Sequence, residues 1–249
     1  DEMQMLKKVT ELFHQAGKSV VVILNIGGVV ETASWRDLPD AILVAWQGGQ
    51  ESGNSLADIL SGKVSPSGKL PMTFPIRYED AASSKNFPVI EAEEAVNIYR
   101  EFFTGAKGVD RPNVDYTLYE EGIFVGYRYF DSFDVATAYP FGYGLSYTDF
   151  KYSKPICVKT DVGYEFSCTV TNSGKVPGKE VVQLYVAAPG LDMVKPEKEL
   201  RAFAKTRLLA PGESETVKMV VKKSDLSSFD ESSSCWQVEA GKYRALWGT

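Results

Sequence analysis

The sequence predicts an α/β fold followed by an all-β fold: a partial parallel α/β sandwich layer, then an antiparallel β-sandwich of fibronectin III or immunoglobulin type. Three observations lead to this prediction. Apolar residues at helical spacing alternate with short β-branched runs in residues 1–75, whereas apolar and polar residues alternate with period two in residues 150–249. Turn residues separate the later runs. With 249 residues, the chain is long enough for two ordinary domains.

The first predicted element is a helix that ends near Gly17, a residue suited to a helix C-terminus. Its apolar positions recur at helical spacing and are Met5, Leu6, Val9, Leu12, Phe13 and Ala16. The β-branched run at residues 20–24 (VVVIL) then predicts a strand buried on both faces of a parallel sheet. Residues 41–46 (AILVAW) repeat this pattern and predict a second such strand.

A second helix is predicted over residues 51–60, with Leu56, Ile59 and Leu60 facing inward and Gly62 at its end. Glycine pairs follow both strands, at the sheet edge where ligand crevices of parallel sheets lie. Two strands are fewer than such sheets normally hold, so the domain is expected to begin before Asp1.

The chain is predicted to divide into three parts: residues 1–118, 119–149 and 150–249. The first part ends in an irregular connection over residues 76–118, with weak helical character at 90–104. The second part is a connector dense in Tyr, Phe and Gly.

The third part is predicted as the sandwich because apolar residues alternate with polar ones in its runs. The inward positions are Phe166, Cys168 and Val170 in one strand and Val182, Leu184 and Val186 in another. Turn sequences between the runs are residues 172–174 (NSG), 177–178 (PG), 211–213 (PGE) and 240–241 (AG).

Composition excludes several classes of function. A net charge of −6 with a single His leaves no basic surface for nucleic acid or an anionic membrane. The longest apolar run, residues 20–26, is too short to cross a bilayer. No metal-binding spacing and no G-x-G-x-x-G motif is present, so neither a metal nor a dinucleotide cofactor is expected. The three cysteines are expected to be free, buried thiols, with one disulfide left open.

Three sets of motifs resemble glycoside hydrolase family 3, in order and spacing. The first set is residues 46–54 (WQGGQESGN), 57–62 (ADILSG) and 66–75 (PSGKLPMTFP). The second set is residues 119–131 (YEEGIFVGYRYFD) and 139–148 (YPFGYGLSYT). The third set is residues 170–174 (VTNSG), 178–186 (GKEVVQLYV), 200–203 (LRAF) and 209–213 (LAPGE), and it resembles the fibronectin III-like domain at the C-terminus of many such enzymes. The chain is therefore similar to the C-terminal part of a β-glucosidase-type enzyme.

The resemblance implies a retaining, exo-acting β-glucosidase or β-xylosidase that removes terminal non-reducing β-linked sugars in polysaccharide degradation. That mechanism uses two carboxyl groups about 5 Å apart, one as nucleophile and one as acid/base. In the family the nucleophile is an Asp on an N-terminal (β/α)8 barrel, and no segment here resembles that barrel. The acid/base Glu of the family precedes the strand that matches residues 20–24, so it is expected upstream of Asp1. No catalytic residue is therefore expected in this chain, which alone should be inactive.

Two acids are nevertheless candidate catalytic residues. Glu120 and Glu121 lie in an aromatic, glycine-containing segment, a setting that raises carboxyl pKa values. The alternative is that both are structural carboxylates that pair with Arg128 or Arg100.

The candidate substrate-binding residues are aromatic: Trp46, Tyr127, Tyr129 and Phe130. Aromatic rings can stack on the flat C–H faces of sugars. The alternative is that these rings pack where the α/β layer meets the sandwich. His14, beside the apolar face of the first helix, is expected to be a partly exposed structural side chain.

The expected partners are the N-terminal barrel of the same enzyme and a β-linked gluco- or xylo-oligosaccharide, with no nucleic acid and no membrane; a homodimer is left open. The location is expected to be periplasmic or secreted, and a cytoplasmic one is left open. The competing functional hypothesis is a non-catalytic module that binds carbohydrate or protein.

Overall fold

The computed structural model describes residues 1–84 and 119–248. The helices are α1 (Glu2–Gln15), α2 (Ser52–Leu60) and α3 (Tyr127–Ser132). The strands are β1 (Val21–Leu24), β2 (Ala41–Val44), β3 (Phe74–Pro75), β4 (Thr137–Tyr139), β5 (Phe150–Tyr152), β6 (Ile156–Lys159), β7 (Gly163–Asn172), β8 (Val181–Ala187), β9 (Glu199–Lys205), β10 (Ser214–Lys222), β11 (Ser228–Asp230), β12 (Cys235–Gln237) and β13 (Arg244–Gly248). The weak helix predicted at residues 90–104 lies outside the described residues. The three-part division of the chain stays a prediction.

The α/β layer forms as its sequence pattern predicts. The Asp1 carboxylate accepts a hydrogen bond from the Gln4 N–H and caps α1, while Gly17, at φ +65°, ends the helical path. Strands β1 and β2 pair in parallel, with Val21 opposite Ala41. His14 is partly exposed, as expected, and its Nε2 lies 2.9 Å from a carboxylate oxygen of Asp40 just before β2.

The predicted burial of this layer is only partly correct. Val21 and Ile23, expected to be buried, are 44% and 40% exposed, and Leu60, expected to face inward, is 49% exposed. In the described ranges the sheet consists of β1 and β2 alone, and the face of β1 that carries Val21 and Ile23 is accessible to water. A continuous apolar run predicts a strand whose two faces are both suited to burial. It does not predict which elements pack against each face.

The β-sandwich consists of two antiparallel sheets. One has the order β10–β7–β5, with β6 also pairing with β7, and the other has the order β13–β8–β9. One hydrophobic core lies between the two sheets, and its buried residues are Phe166, Cys168, Val170, Val182, Leu184, Val186, Leu209, Val217, Met219, Val221 and Leu226. The period-two prediction is thus confirmed for the inward positions of β7 and β8.

The outward side of β8 departs from a simple alternation. Gln183 and Tyr185, which point away from the core, are also buried. The Gln183 amide donates to the Gly142 carbonyl at 3.0 Å, and the Tyr185 ring meets Phe141 edge-on. The connector therefore covers the second face of β8.

All three thiols are free, as expected, but only Cys168 is buried. Cys157 lies on β6, which pairs only with β7 in the described part of the chain, and Cys235 lies on the β11–β12 hairpin. The prediction of burial is wrong for these two because both strands lie at exposed edges of the fold.

A buried ion pair joins the α/β layer to the sandwich. Lys69 Nζ lies 3.1 Å from Glu180 Oε1, with 13% and 9% of the two side chains exposed. The same ammonium donates to the Gly144 carbonyl at 3.0 Å. We call this contact the domain joint, and it connects one motif from each of the three sets found in the sequence.

Backbone hydrogen bonds complete the domain joint. The Leu70 N–H donates to the Tyr143 carbonyl, and the Gly142 N–H donates to the Leu70 carbonyl, both at 2.8 Å. A Cβ atom added to Gly142 would lie 2.2 Å from the Gln183 side chain. Glycine is required here because the connector runs in close contact with both neighbours.

In the described residues, no helix has the length and apolar character needed to cross a membrane. Nor does that part of the chain hold a group of three or more acidic, His or Cys residues placed to bind a metal ion.

Candidate functional site

A cavity of about 750 Å³ lies between the loop that follows residue 70 and the aromatic segment around α3. We call it the aromatic cavity. Its described lining residues are Val29, Val30, Glu31, Pro71, Met72, Thr73, Pro75, Arg77, Tyr78, Ala81, Ala82, Ser83, Tyr119, Glu121, Phe124, Val125, Gly126, Tyr127, Arg128, Tyr129, Phe130 and Phe141. Its size and its apolar walls with a few charged groups are typical of small-molecule sites.

Local sequence brings the two walls together. Pro71 and Pro75 favour extended backbone on either side of residues 72–74. Strand β3 can therefore pair antiparallel with β4, with Phe74 opposite Tyr139. This long-range pairing holds the proline loop beside α3.

Helix α3 begins after Gly126, whose φ of +58° turns the chain into the helix. It ends at Ser132 with Phe133 as its C-cap, and Asp134 then takes a φ of +52°. Asn and Asp adopt such left-handed conformations more easily than other residues with side chains. These two turns separate α3 from the extended chain on either side.

Tyr127 lies between the connector and the sandwich. Its ring stacks on Phe141 with centroids 4.6 Å apart and meets Tyr185 edge-on at 5.9 Å. Its hydroxyl accepts the Leu200 N–H at 2.7 Å. Burial raises the pKa of this phenol above its usual value. These contacts favour the packing hypothesis for Tyr127, although the ring also borders the cavity.

Tyr129 and Phe130 are the other two predicted sugar contacts on α3, and both line the aromatic cavity. Phe130 is buried, whereas Tyr129 is half-buried. The Tyr129 ring lies 5.5 Å from Phe130 and 5.2 Å from Phe133, centroid to centroid. The structure thus brings three of the four predicted aromatic residues to one wall.

Trp46 does not belong to this wall. It follows β2 with a φ of +53°, a strained value for a bulky residue, and its ring packs against Phe74 at 6.2 Å. Nearby, a Cβ atom on Gly27 would lie 2.9 Å from the Gln47 side chain. Gly27 therefore allows a close contact within the protein.

The two candidate acids occupy different positions. Glu121 lines the aromatic cavity, while Glu120 is exposed. Arg128, one predicted partner of these acids, instead lies 3.7 Å from the Glu199 carboxylate. The other predicted partner, Arg100, lies outside the described residues. A catalytic role for either Glu stays a prediction.

Sequence reasoning missed the opposite wall of the cavity. Arg77, Tyr78 and Glu31 all line it. Glu31 and Arg77 lie in irregular segments and Tyr78 begins a single-turn 3₁₀ helix, so no periodic pattern marks them. The pairing of β3 with β4 brings the loop that follows Pro75 towards α3. The one sequence signal was the pair of prolines that bracket residues 72–74.

Comparison with known proteins identifies the class of this chain. The family model "Glycosyl hydrolase family 3 C-terminal domain" matches residues 1–127, and the model "Fibronectin type III-like domain" matches residues 180–249. The chain belongs to glycosyl hydrolase family 3, as the sequence motifs predicted. The mixed fold, an α/β layer followed by a fibronectin III-like sandwich, is also confirmed.

Individual relatives align along almost the whole chain. It is 41% identical to "Beta-glucosidase A" of Butyrivibrio fibrisolvens over 272 residues, covering 100% of this chain and 30% of that protein. It is 38% identical to "Thermostable beta-glucosidase B" of Acetivibrio thermocellus, covering 97% of this chain and 29% of that protein. The chain thus spans about 30% of the length of these curated relatives.

Solved structures agree with this comparison. Beta-glucosidase 3B from Thermotoga neapolitana, in complex with α-D-glucose, superposes with a TM-score of 0.85 at 45% identity, covering 99% of this chain and 32% of that one. The GH3 beta-glucosidase of Bifidobacterium adolescentis superposes with a TM-score of 0.81 at 36% identity, covering 99% of this chain and 33% of that one.

Proposed function

We propose that this chain is the C-terminal part of a retaining, exo-acting β-glycosidase that removes terminal non-reducing sugars during polysaccharide degradation. β-Glucosides are the preferred substrate class, with β-xylosides as the alternative. The observation that carries the proposal is the superposition on a Thermotoga neapolitana β-glucosidase, at 45% identity over 99% of this chain.

In this proposal the chain supplies structure and substrate contacts, while an N-terminal barrel supplies the nucleophile. The retaining mechanism needs two carboxyl groups about 5 Å apart. The motifs of the family assign neither carboxyl group to this chain. Its contributions are the aromatic cavity, where Tyr129 and Phe130 face the sugar, and the domain joint, which braces the α/β layer against the sandwich.

A graft into a relative tests the proposal. The Thermotoga enzyme would first be truncated to remove the part that aligns with this chain, and this chain would then be fused in its place. We expect the isolated chain and the truncated enzyme to leave an aryl β-glucoside intact, and the fusion to hydrolyse it. Turnover by the isolated chain, or a folded, monodisperse fusion without turnover, would contradict the proposal.

A second hypothesis, a non-catalytic carbohydrate-binding module, draws support from one surface feature. Trp236 and Phe229 form an exposed cross-strand pair on the β11–β12 hairpin, with ring centroids 5.7 Å apart. Retention of the chain on insoluble glucan, lost in Trp236→Ala, would favour this hypothesis. Export to the periplasm or the medium stays a prediction that cell fractionation would test.

A further inference from the structure

The short helix α3 lies along the start of β9 and the two residues before it, and four polar contacts join the two segments in antiparallel order. They are the Leu200 N–H donating to Tyr127 Oη at 2.7 Å, Arg128 Nη1 at 3.7 Å from Glu199 Oε1, Lys198 Nζ at 3.0 Å from Asp131 Oδ2, and the Glu197 N–H donating to Ser132 Oγ at 2.8 Å. We call residues 197–200 (EKEL) the helix clamp.

The central contact of the helix clamp is the ion pair between Asp131 and Lys198. About 30% of each side chain is exposed, at 28% and 31%, so water screens the pair only in part. The Lys198 ammonium also lies over the Tyr185 ring, 5.7 Å from its centroid, and Tyr185 contacts Tyr127. The clamp and the buried aromatic rings are therefore linked by a continuous set of contacts through Tyr185.

Helix α3 cannot hold its own orientation. It has six residues, and helices this short are unstable in water without tertiary contacts. A second cavity of about 390 Å³ borders Asp131 and Lys198 and leaves space into which the helix could move. The contacts with the clamp, together with the packing of Tyr127 and the buried Phe130, therefore set where the helix lies.

The same helix carries Tyr129 and Phe130 on the wall of the aromatic cavity. Asp131 and Lys198 do not line that cavity, so they can act on it only through the helix. We propose that the sandwich positions the sugar-binding wall through the helix clamp, with Asp131 and Lys198 as positioning residues. This inference rests on the proposed role of the aromatic cavity in sugar binding.

The test compares three variants of the whole chain. Lys198→Met breaks the ion pair, and Lys198→Arg keeps the charge and the donor. Lys218→Met is the matched control, because Lys218 pairs with Glu165 at the same 3.0 Å distance wholly within the sandwich.

The first measurement is amide hydrogen exchange, which needs no ligand. We expect Lys198→Met to speed exchange in residues 127–133 at least threefold, the scale of a partly exposed ion pair, while Lys198→Arg and Lys218→Met leave it at the wild-type rate. An unchanged exchange rate in α3 of the Lys198→Met variant would overturn the proposal that the clamp holds this helix.

The second measurement is the dissociation constant of methyl β-D-glucopyranoside, titrated by saturation-transfer NMR. We expect Lys198→Met to raise it about two- to fivefold, Lys198→Arg to restore it, and Tyr129→Ala to raise it more. An effect of Tyr129→Ala without one of Lys198→Met would overturn the positioning role alone. No binding by the wild type, or no effect of Tyr129→Ala, would reject the sugar-binding role of the cavity, and the inference would fail with it.

Discussion

Loss of the Lys69 charge should lower the stability of the protein more than the loss of a surface ion pair would. At 3.1 Å, with both side chains largely buried, the Coulomb attraction to Glu180 is about 5 kcal/mol at an effective dielectric constant of about 20. Removal of one partner of a buried pair typically costs about 3–5 kcal/mol, because the other charge is left buried and unpaired. The Gly144 carbonyl also loses its donor. We therefore expect Lys69→Met to lower the free energy of unfolding by about 3 kcal/mol.

The four tryptophans can show which part of the protein loses stability in this variant. Trp35 and Trp46 lie in the α/β layer, Trp247 lies on β13 of the sandwich, and Trp236 lies on the β11–β12 hairpin in the same half of the chain. Labelled with 5-fluorotryptophan, they report the unfolding of each part by fluorine NMR during a urea titration. In the wild type we expect the four signals to lose native intensity together. In Lys69→Met the α/β pair should unfold about 1 M urea earlier, from a slope of about 3 kcal/mol per molar urea.

Two further variants make the result specific to the buried pair. Lys218→Met removes an exposed pair within the sandwich and should cost about 0.5 kcal/mol, with all four signals still coincident. The double change of Lys69 to Met and Glu180 to Leu replaces the pair with apolar side chains and should recover most of the loss. A cost for Lys69→Met no larger than that for Lys218→Met, or separate unfolding of the two pairs of signals in the wild type, would refute the stabilising role of the buried pair.

Three other substitutions test particular contacts by urea or thermal unfolding. Asn172→Ala should cost about 3 kcal/mol, because this fully buried amide accepts two hydrogen bonds and donates two; a cost below about 1 kcal/mol would contradict its role. Gly142→Ala should cost at least about 2 kcal/mol from a φ of +81° and the clash with Gln183, and a second change, Gln183→Ala, should relieve only the clash. Burial opposes ionisation of Glu239, but two backbone N–H donors and Lys195 outweigh it and hold its pKa below the usual 4.5. A carboxyl with a lowered folded-state pKa stabilises the fold above its usual pKa, and that stability is lost as the pH falls below 4.5 and on through the folded-state value. Glu239→Gln should therefore lower the melting temperature at pH 7 and flatten its decline in acid, and an equally steep acid decline in the variant would exclude this carboxyl as a cause.

Local sequence patterns predicted where helices and strands form more reliably than they predicted which of their side chains are buried. The pattern of apolar residues predicted α1 from its helical spacing, β1 from its continuous β-branched run and the inward face of β7 from its alternation. It could not predict that Val21 and Ile23 would be exposed, since burial depends on what covers a strand.

The site was harder to predict because it depends on contacts distant in sequence. The aromatic character of residues 127–130 was visible, and the structure places three of these residues on one cavity wall. The partners that hold this wall, Lys198 and Asp131, carry no pattern that relates them. The pairing of Lys69 with Glu180 likewise joins two motifs whose sequences gave no reason to link them.

The two halves of the chain differ in how far their own residues bury their apolar surfaces, and this difference gives the domain joint its importance. The sandwich closes a core between two sheets, with Val170, Val182 and Leu184 fully buried. In the described part of the α/β layer, by contrast, Leu12 and Phe13 on α1 are each 50% exposed. Apolar surface left in water contributes nothing to stability, so this layer gains less from its own packing. Its stability should therefore depend on contacts with the sandwich. For this reason, removal of the Lys69–Glu180 ion pair should make the α/β layer, reported by Trp35 and Trp46, unfold before the sandwich.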